Sequence, residues 1–211
     1  MNTDGLPSPA LPQIEYLVLD AGGVIFPSAM PQVIADVARR SRRSEEQLWQ
    51  FFNTNLHQAF WSGELNLEEF WTTIATFAEV PGIPPGTPAA VPVPVLTPLP
   101  HAAAIRGWAS LVPMAILSNQ RAEWLVPALE RAGMAKMFDP ILISSRTGLV
   151  KPDPAALAQL TGLGVPPDTV LYVDDRAPAR AAARALGIAA IAADPDGTWV
   201  TVVDARLGIR D

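Results

Sequence analysis

Five short, predominantly apolar runs recur along the chain, at 14–20, 114–117, 140–143, 170–173 and 188–191. Runs of this length bounded by turn residues predict buried β-strands, and the lack of strict alternation predicts strands covered on both faces. Helical spacing of apolar positions fills the intervals 120–132, 154–163 and 177–186. Strands alternating with helices of about ten residues predict βαβ units. The expected fold is therefore an α/β, doubly wound, Rossmann-like core with a five-stranded parallel sheet.

The interval between the first two strands breaks this rhythm. It carries three helical stretches, at 30–43, 45–60 and 67–80. Ser44 followed by Gln47 has the form of a capping box, in which each side chain satisfies the other residue's orphan backbone donor, and Asn66 with Glu69 is a weaker form of it. Residues 81–100 then hold eight prolines, which exclude an ordinary helix and predict an extended return. His101 is expected to open the next helix. The predicted organisation is a core of 14–26 and 101–211, with an inserted α-helical cap and proline-rich return at 27–100.

Composition narrows the function classes. A length of 211 residues, 49% of them apolar, allows one sizeable core with a modest insertion. The net charge of −6 argues against a dominant nucleic-acid or anionic-membrane role, since both favour a basic surface. With no cysteine, disulfides and thiolate metal sites are excluded, in keeping with a reducing compartment. No basic start followed by an apolar run opens the chain, and the apolar stretches fall short of the ~20 residues of a membrane span. A cytoplasmic protein, monomeric or homodimeric, is expected.

Four polar groups stand at or just after strand ends, where ligands of open parallel sheets collect. Asp20 closes the first strand, Ser118 and Asn119 the second, Lys151 follows the third, and Asp174 and Asp175 close the fourth. Lys151 stands out because only Lys136 accompanies it among basic residues that are otherwise arginines. A carboxylate can attack phosphorus and divide one displacement into two easier ones. Three crowded carboxylates need a hard cation, for which magnesium is suited. Ser118 and Asn119 could hold phosphoryl oxygens, and Lys151 could balance the transferring charge. Each piece alone has a structural reading as a cap or a solvated charge; their common order and placement point to a site for a small phosphorylated molecule.

The same residues carry a family resemblance. Asp20-Ala21-Gly22-Gly23-Val24, Ser118-Asn119, Lys151-Pro152 and Val173-Asp174-Asp175 resemble the four motifs of the haloacid dehalogenase (HAD) superfamily. The similarity in spacing runs from about residue 14 to residue 194, and 61–71 resembles the helical C1-type cap of subfamily I. Sugar-phosphate phosphatases and the N-terminal phosphatase domain of soluble epoxide hydrolases look nearest. The resemblance implies that Asp20 is the nucleophile with Lys151 as its catalytic partner. It implies that Ser118, Asn119 and Gly23 bind substrate. Magnesium would be held by Asp20, the Gly22 carbonyl and Asp175, with Asp174 in or next to that set.

One position departs from the phosphatase pattern. Gly22 stands where those enzymes carry a second aspartate that protonates the leaving group and then activates water. A sugar 1-phosphate, which leaves as a more acidic hemiacetal, would need that aspartate least. The gap also fits metal-independent dehalogenases, whose halide leaves without a proton, and a weakly active binding or regulatory module. Elsewhere, Arg39, Arg40, Arg42 and Arg43 form a basic helix end, and His57 and His101 have no partner at metal-ligand spacing. Arg176 lies near the crevice. Trp49, Trp61 and Trp71, with Phe51, Phe52, Phe60 and Phe70, are expected to pack the cap.

Overall fold

The computed structural model describes residues 13–81 and 93–209. Its centre is a five-stranded, all-parallel sheet in the order β3-β2-β1-β4-β5. The strands are β1 (Tyr16–Leu19), β2 (Met114–Ser118), β3 (Ile141–Ile143), β4 (Val170–Asp174) and β5 (Ala189–Ala192). Leu17, Val18 and Leu19 of β1 and every residue of β2 and β4 are buried. This explains their continuous apolar character: helices cover both faces, as connections between parallel strands require. From β1 the chain winds outward through β2 and β3, then crosses back to β4 on the other side of β1. The boundary between β1 and β4 is thus the switch point at which doubly wound sheets open a crevice.

The helices of the insertion are α1 (Ala29–Arg40), α2 (Glu45–Phe51), α3 (His57–Ser62) and α4 (Leu67–Ala78), followed by α5 (Ala102–Trp108). Both capping boxes form. Gln47 N–H donates to Ser44 Oγ at 3.2 Å and Ser44 N–H to Gln47 Oε1 at 3.0 Å, while Asn66 and Glu69 exchange two bonds of 2.9 Å. The single helix predicted at 45–60 is instead broken by a π-helical turn, Phe52–Leu56, between α2 and α3. The first insert helix stops at Arg40 rather than residue 43, because Ser41 turns extended and its hydroxyl accepts from Arg43 N–H at 2.8 Å. The third ends at Ala78, where Glu79 takes a left-handed conformation.

The insertion does not keep a core to itself. Phe60 and Trp61 pack against Trp124 at ring-centroid distances of 5.5 and 6.5 Å, so the aromatic cluster expected to fill the cap runs on into the core. Arg121 ties the two together: its buried guanidinium donates to the carbonyls of Phe60 and Leu65, each at 2.9 Å. Of the proline-rich segment, 82–92 lie outside the described residues. The remainder, 93–99, has no regular structure and is held where Leu99 N–H donates to Ile25 O at 2.8 Å.

On the core side follow α6 (Ala122–Arg131), α7 (Ser144–Thr147), α8 (Pro154–Ala158), α9 (Ala177–Ala185) and α10 (Trp199–Arg206). The helix expected at 154–163 is α-helical only through Ala158 and tightens to 3₁₀ over Gln159–Leu163. Helix α10, which periodicity did not mark, is rich in β-branched residues that favour helix weakly. Tertiary contacts decide it: Asp194 caps Thr198 N–H at 3.0 Å, Trp199 packs edge-on to Trp108, and Asp204 accepts from Trp108 Nε1 at 2.7 Å. Among the described residues no helix is long and apolar enough to cross a membrane.

Candidate active site

Asp20 leaves β1 with its N–H bonded to Val173 O at 2.9 Å, which fixes it on the β1–β4 boundary. The chain then turns sharply. Ile25 and Phe26 N–H both donate to Ala21 O at 2.9 Å, and Gly23 N–H donates to Phe26 O at 2.7 Å. This pairing uses the groups on either side of Gly22 and leaves the Gly22 carbonyl out. Gly23 has φ +76°, and a Cβ there would lie 2.6 Å from Asp175 Oδ2. Only glycine therefore lets the turn approach the Asp175 carboxylate this closely.

Lys151 is the hub. It is 4% exposed, and its ammonium donates to Leu117 O at 2.8 Å, Tyr172 Oη at 2.9 Å and Asp174 Oδ2 at 2.6 Å, with Asp20 Oδ2 at 3.2 Å. Asn119 holds the lysine from behind: its side-chain amide donates to Lys151 O at 2.7 Å and accepts from Lys151 N–H at 2.8 Å. The carbonyl and one of the two N–H groups of that amide are thereby used, so Asn119 orients Lys151 with the side chain predicted to touch substrate. Asp174 is likewise engaged through both oxygens, Oδ2 by Lys151 and Tyr172 and Oδ1 by Arg176 N–H at 2.7 Å. Ser118 Oγ is buried beside Asp20 and helps to keep that carboxylate ionised, with no other hydrogen-bond partner among the described residues.

Above these groups opens a cavity of about 180 Å³. Asp20, Gly22, Asn119, Lys151 and Asp175 line it, whereas Ser118, Gly23 and Asp174 do not. The insertion supplies the opposite side with Met30, Trp49, Phe52, Asn53, His57 and Trp61, and the core adds Gln120 and Arg176. Gln120 and Tyr172 escaped the sequence reading. Tyr172 did leave a signal: two residues before Asp174 on one strand, it must share that residue's face.

The electrostatics follow from three carboxylates facing one ammonium. Burial pushes the Asp20 pKa up to about 6, with Lys151 opposing the rise and Asp174 adding to it. Asp175 is raised by burial and by Asp174, against Arg176 and Lys151. Burial and the Asp174 and Asp20 charges hold the Tyr172 phenol well above its usual range, so it stays a proton donor. His57 is lowered by burial and then by the Arg176 guanidinium. One oxygen each from Asp20, Asp174 and Asp175 lie within 4.8 Å of one another. Such crowding, with one ammonium in return, suits a divalent cation that prefers oxygen. Since both oxygens of Asp174 are occupied, Asp20, Asp175 and the free Gly22 carbonyl are the donors best placed to hold it.

Residues 109–193, spanning β2 to β5 and therefore Ser118, Lys151 and the acid pair, match the family model of haloacid dehalogenase-like hydrolases. Over that stretch the chain is similar to the HAD superfamily. Solved HAD structures share its fold. A HAD-like hydrolase from Porphyromonas gingivalis aligns with TM-score 0.69 and 20% identity over 95% of this chain and 100% of its own. A HAD family enzyme from Bacteroides thetaiotaomicron, in complex with magnesium and inorganic phosphate, aligns with TM-score 0.70 and 16% identity over 90% and 98%. The L-2-haloacid dehalogenase of Xanthobacter autotrophicus, with chloropropionic acid covalently bound, aligns with TM-score 0.57 and 22% identity over 84% and 76%. Among curated protein sequences none matches significantly.

Proposed function

We propose that this HAD-like hydrolase is a magnesium-dependent phosphatase that cleaves a small phosphate monoester through an aspartyl-phosphate on Asp20. The observation that carries the reading is the crowding of Asp20, Asp174 and Asp175 around one buried ammonium. A nucleophile displacing halide needs no such set. In this scheme Asp20 attacks phosphorus, Lys151 screens Asp20 and the incoming phosphoryl group, and Ser118 Oγ turns its hydroxyl to a phosphoryl oxygen. Asn119, Tyr172 and Asp174 hold Lys151 in place. Magnesium on Asp20, Asp175 and the Gly22 carbonyl would supply positive charge to the phosphoryl oxygens. A cavity of about 180 Å³ suits a substrate with few carbons beyond its phosphate, such as a small sugar phosphate.

Phosphate release from a panel of sugar and alkyl phosphates, with magnesium and with chelator, tests the reading. Turnover lost on chelation supports it; halide release from 2-haloacids without metal, and no phosphate release, replaces it. That second reading has one feature in its favour, the missing acid at Gly22.

Two further results are expected from this arrangement. Magnesium must displace the proton from Asp20, whose pKa is about 6 in the metal-free site. Apparent magnesium affinity measured by calorimetry is expected to weaken about fourfold between pH 7.5 and pH 5.5 from this group alone, and further through Asp175. Gly22, unlike Gly23, does not need to be glycine: its φ is not left-handed, and an added Cβ would meet nothing nearer than Ser28 Oγ at 3.8 Å. Gly22→Asp is therefore expected to fold, with a thermal midpoint close to that of the unaltered protein.

A further inference from the structure

We propose that His57 is the acid–base residue of this site, in place of the side chain that Gly22 lacks. The inference rests on the phosphatase reading and deepens it. Five residues line the cavity with side chains able to titrate or carry charge: Asp20, Asp175, Lys151, Arg176 and His57. Asp20 is committed as nucleophile and Asp175 as cation ligand. Lys151 is held by Leu117 O, Tyr172 and both neighbouring carboxylates. An arginine does not give up its proton in a protein. His57 alone remains, and it faces the nucleophile from the opposite wall.

The local structure favours this use. His57 follows the π-helical turn and closes it, its N–H bonding to Phe52 O five residues back. Such turns recur at functional sites, because they widen a helix where its side chains must reach a ligand. The imidazole is half-buried, packed edge-on to Phe52 and Trp61 at 5.7 and 6.5 Å. Neither ring nitrogen makes a hydrogen bond among the described residues, so both are free for substrate. The charged groups facing it all come from the core: Arg176, which lowers its pKa, and across the cavity Asp20, Asp175 and Lys151. An arriving phosphoryl dianion favours the imidazolium and opposes Arg176.

The proton account closes over two steps. Asp20 Oδ attacks phosphorus, the bond from phosphorus to the leaving oxygen breaks, and that oxygen takes the imidazolium proton to depart as the alcohol. Water then attacks the aspartyl-phosphate and gives a proton to the neutral imidazole. The bond between Asp20 and phosphorus breaks, releasing inorganic phosphate and restoring the starting imidazolium.

The test compares two leaving groups in the full chain with magnesium. p-Nitrophenyl phosphate leaves as a stable phenolate and needs no acid, whereas glycerol phosphate leaves as an alkoxide and does. His57→Gln is expected to lower kcat/KM for glycerol phosphate by ~10²-fold or more while changing p-nitrophenyl phosphate by less than about threefold. A retained kcat/KM on p-nitrophenyl phosphate, which ends at the aspartyl-phosphate and so does not need the imidazole, shows that the variant folds. In the unaltered protein the glycerol phosphate rate is expected to fall as pH rises through the imidazole titration, and that limb is expected to vanish in His57→Gln. Equal losses on both substrates, or none on either, would overturn the assignment. No phosphate from either substrate with the unaltered protein would overturn the phosphatase reading, and this assignment with it.

Discussion

Asp20→Asn is expected to abolish phosphate release, by at least ~10⁴-fold in kcat, while making the metal-free protein more stable. The two effects have one cause. A nucleophile at the base of a narrow cavity has to be ionised, yet Asp20 is 6% exposed and shares its surroundings with Asp174 and Asp175. Its pKa is raised to about 6 in the fold, so the ionised form is disfavoured there relative to the unfolded chain. Below the ordinary carboxylate range Asp20 is protonated in both states and costs nothing; the cost grows as pH rises and is complete above about 6. Asparagine removes it, on the order of 2–3 kcal/mol at pH 7.5, which thermal unfolding of a small domain resolves as several degrees. The stability gain is expected to shrink below pH 6 and to disappear near pH 4. It should also shrink with magnesium, because the cation stabilises only a site with its carboxylate. A variant that loses activity and stability together would indicate that Asp20 is a structural residue.

Lys151→Met is expected to have the largest effect on stability, and the opposite one. Among the described residues the ammonium is the only positive group within bonding distance of Asp20 and Asp174, and Leu117 O and Tyr172 help to fix its orientation. Removing it strands two buried carboxylates, for which the expected loss is about 3–5 kcal/mol. Urea denaturation should show that loss at neutral pH, and magnesium should restore part of it, since a cation can take over some of the neutralisation. Phosphate release should be lost even where the fold is rescued. Arginine is a poor substitute here. Its wide, planar fork cannot occupy the small enclosure that suits a compact ammonium, so Lys151→Arg is expected to behave more like the methionine variant than like the original.

The sequence carried more of this site than of its surroundings. All five strands and the polar residues at their ends were legible, because a buried parallel strand must be apolar on both faces and a polar residue at its end then stands out. Ser44 with Gln47 and Asn66 with Glu69 were legible for a similar reason: a capping box is satisfied within four residues and needs no distant partner. Where the outcome depended on distant groups, local pattern was not enough. The helix predicted at 45–60 gives way to a π-helical turn at Phe52–Leu56. Helix α10 forms from a weakly helical segment because Trp108, His101 and Asp194 receive it. Asn119 could be placed at the site from its position after β2, but that its amide pairs with the Lys151 backbone is visible only in three dimensions. The same holds for His57, which has no partner in sequence and gains its significance only by lining the same cavity as Asp20. By itself the sequence determined the five parallel strands and the polar residues at their ends, since those follow from burial and local hydrogen bonding. Tertiary structure alone decided which donors remain free and what faces them across the cavity, because both depend on groups that meet only when distant segments pack.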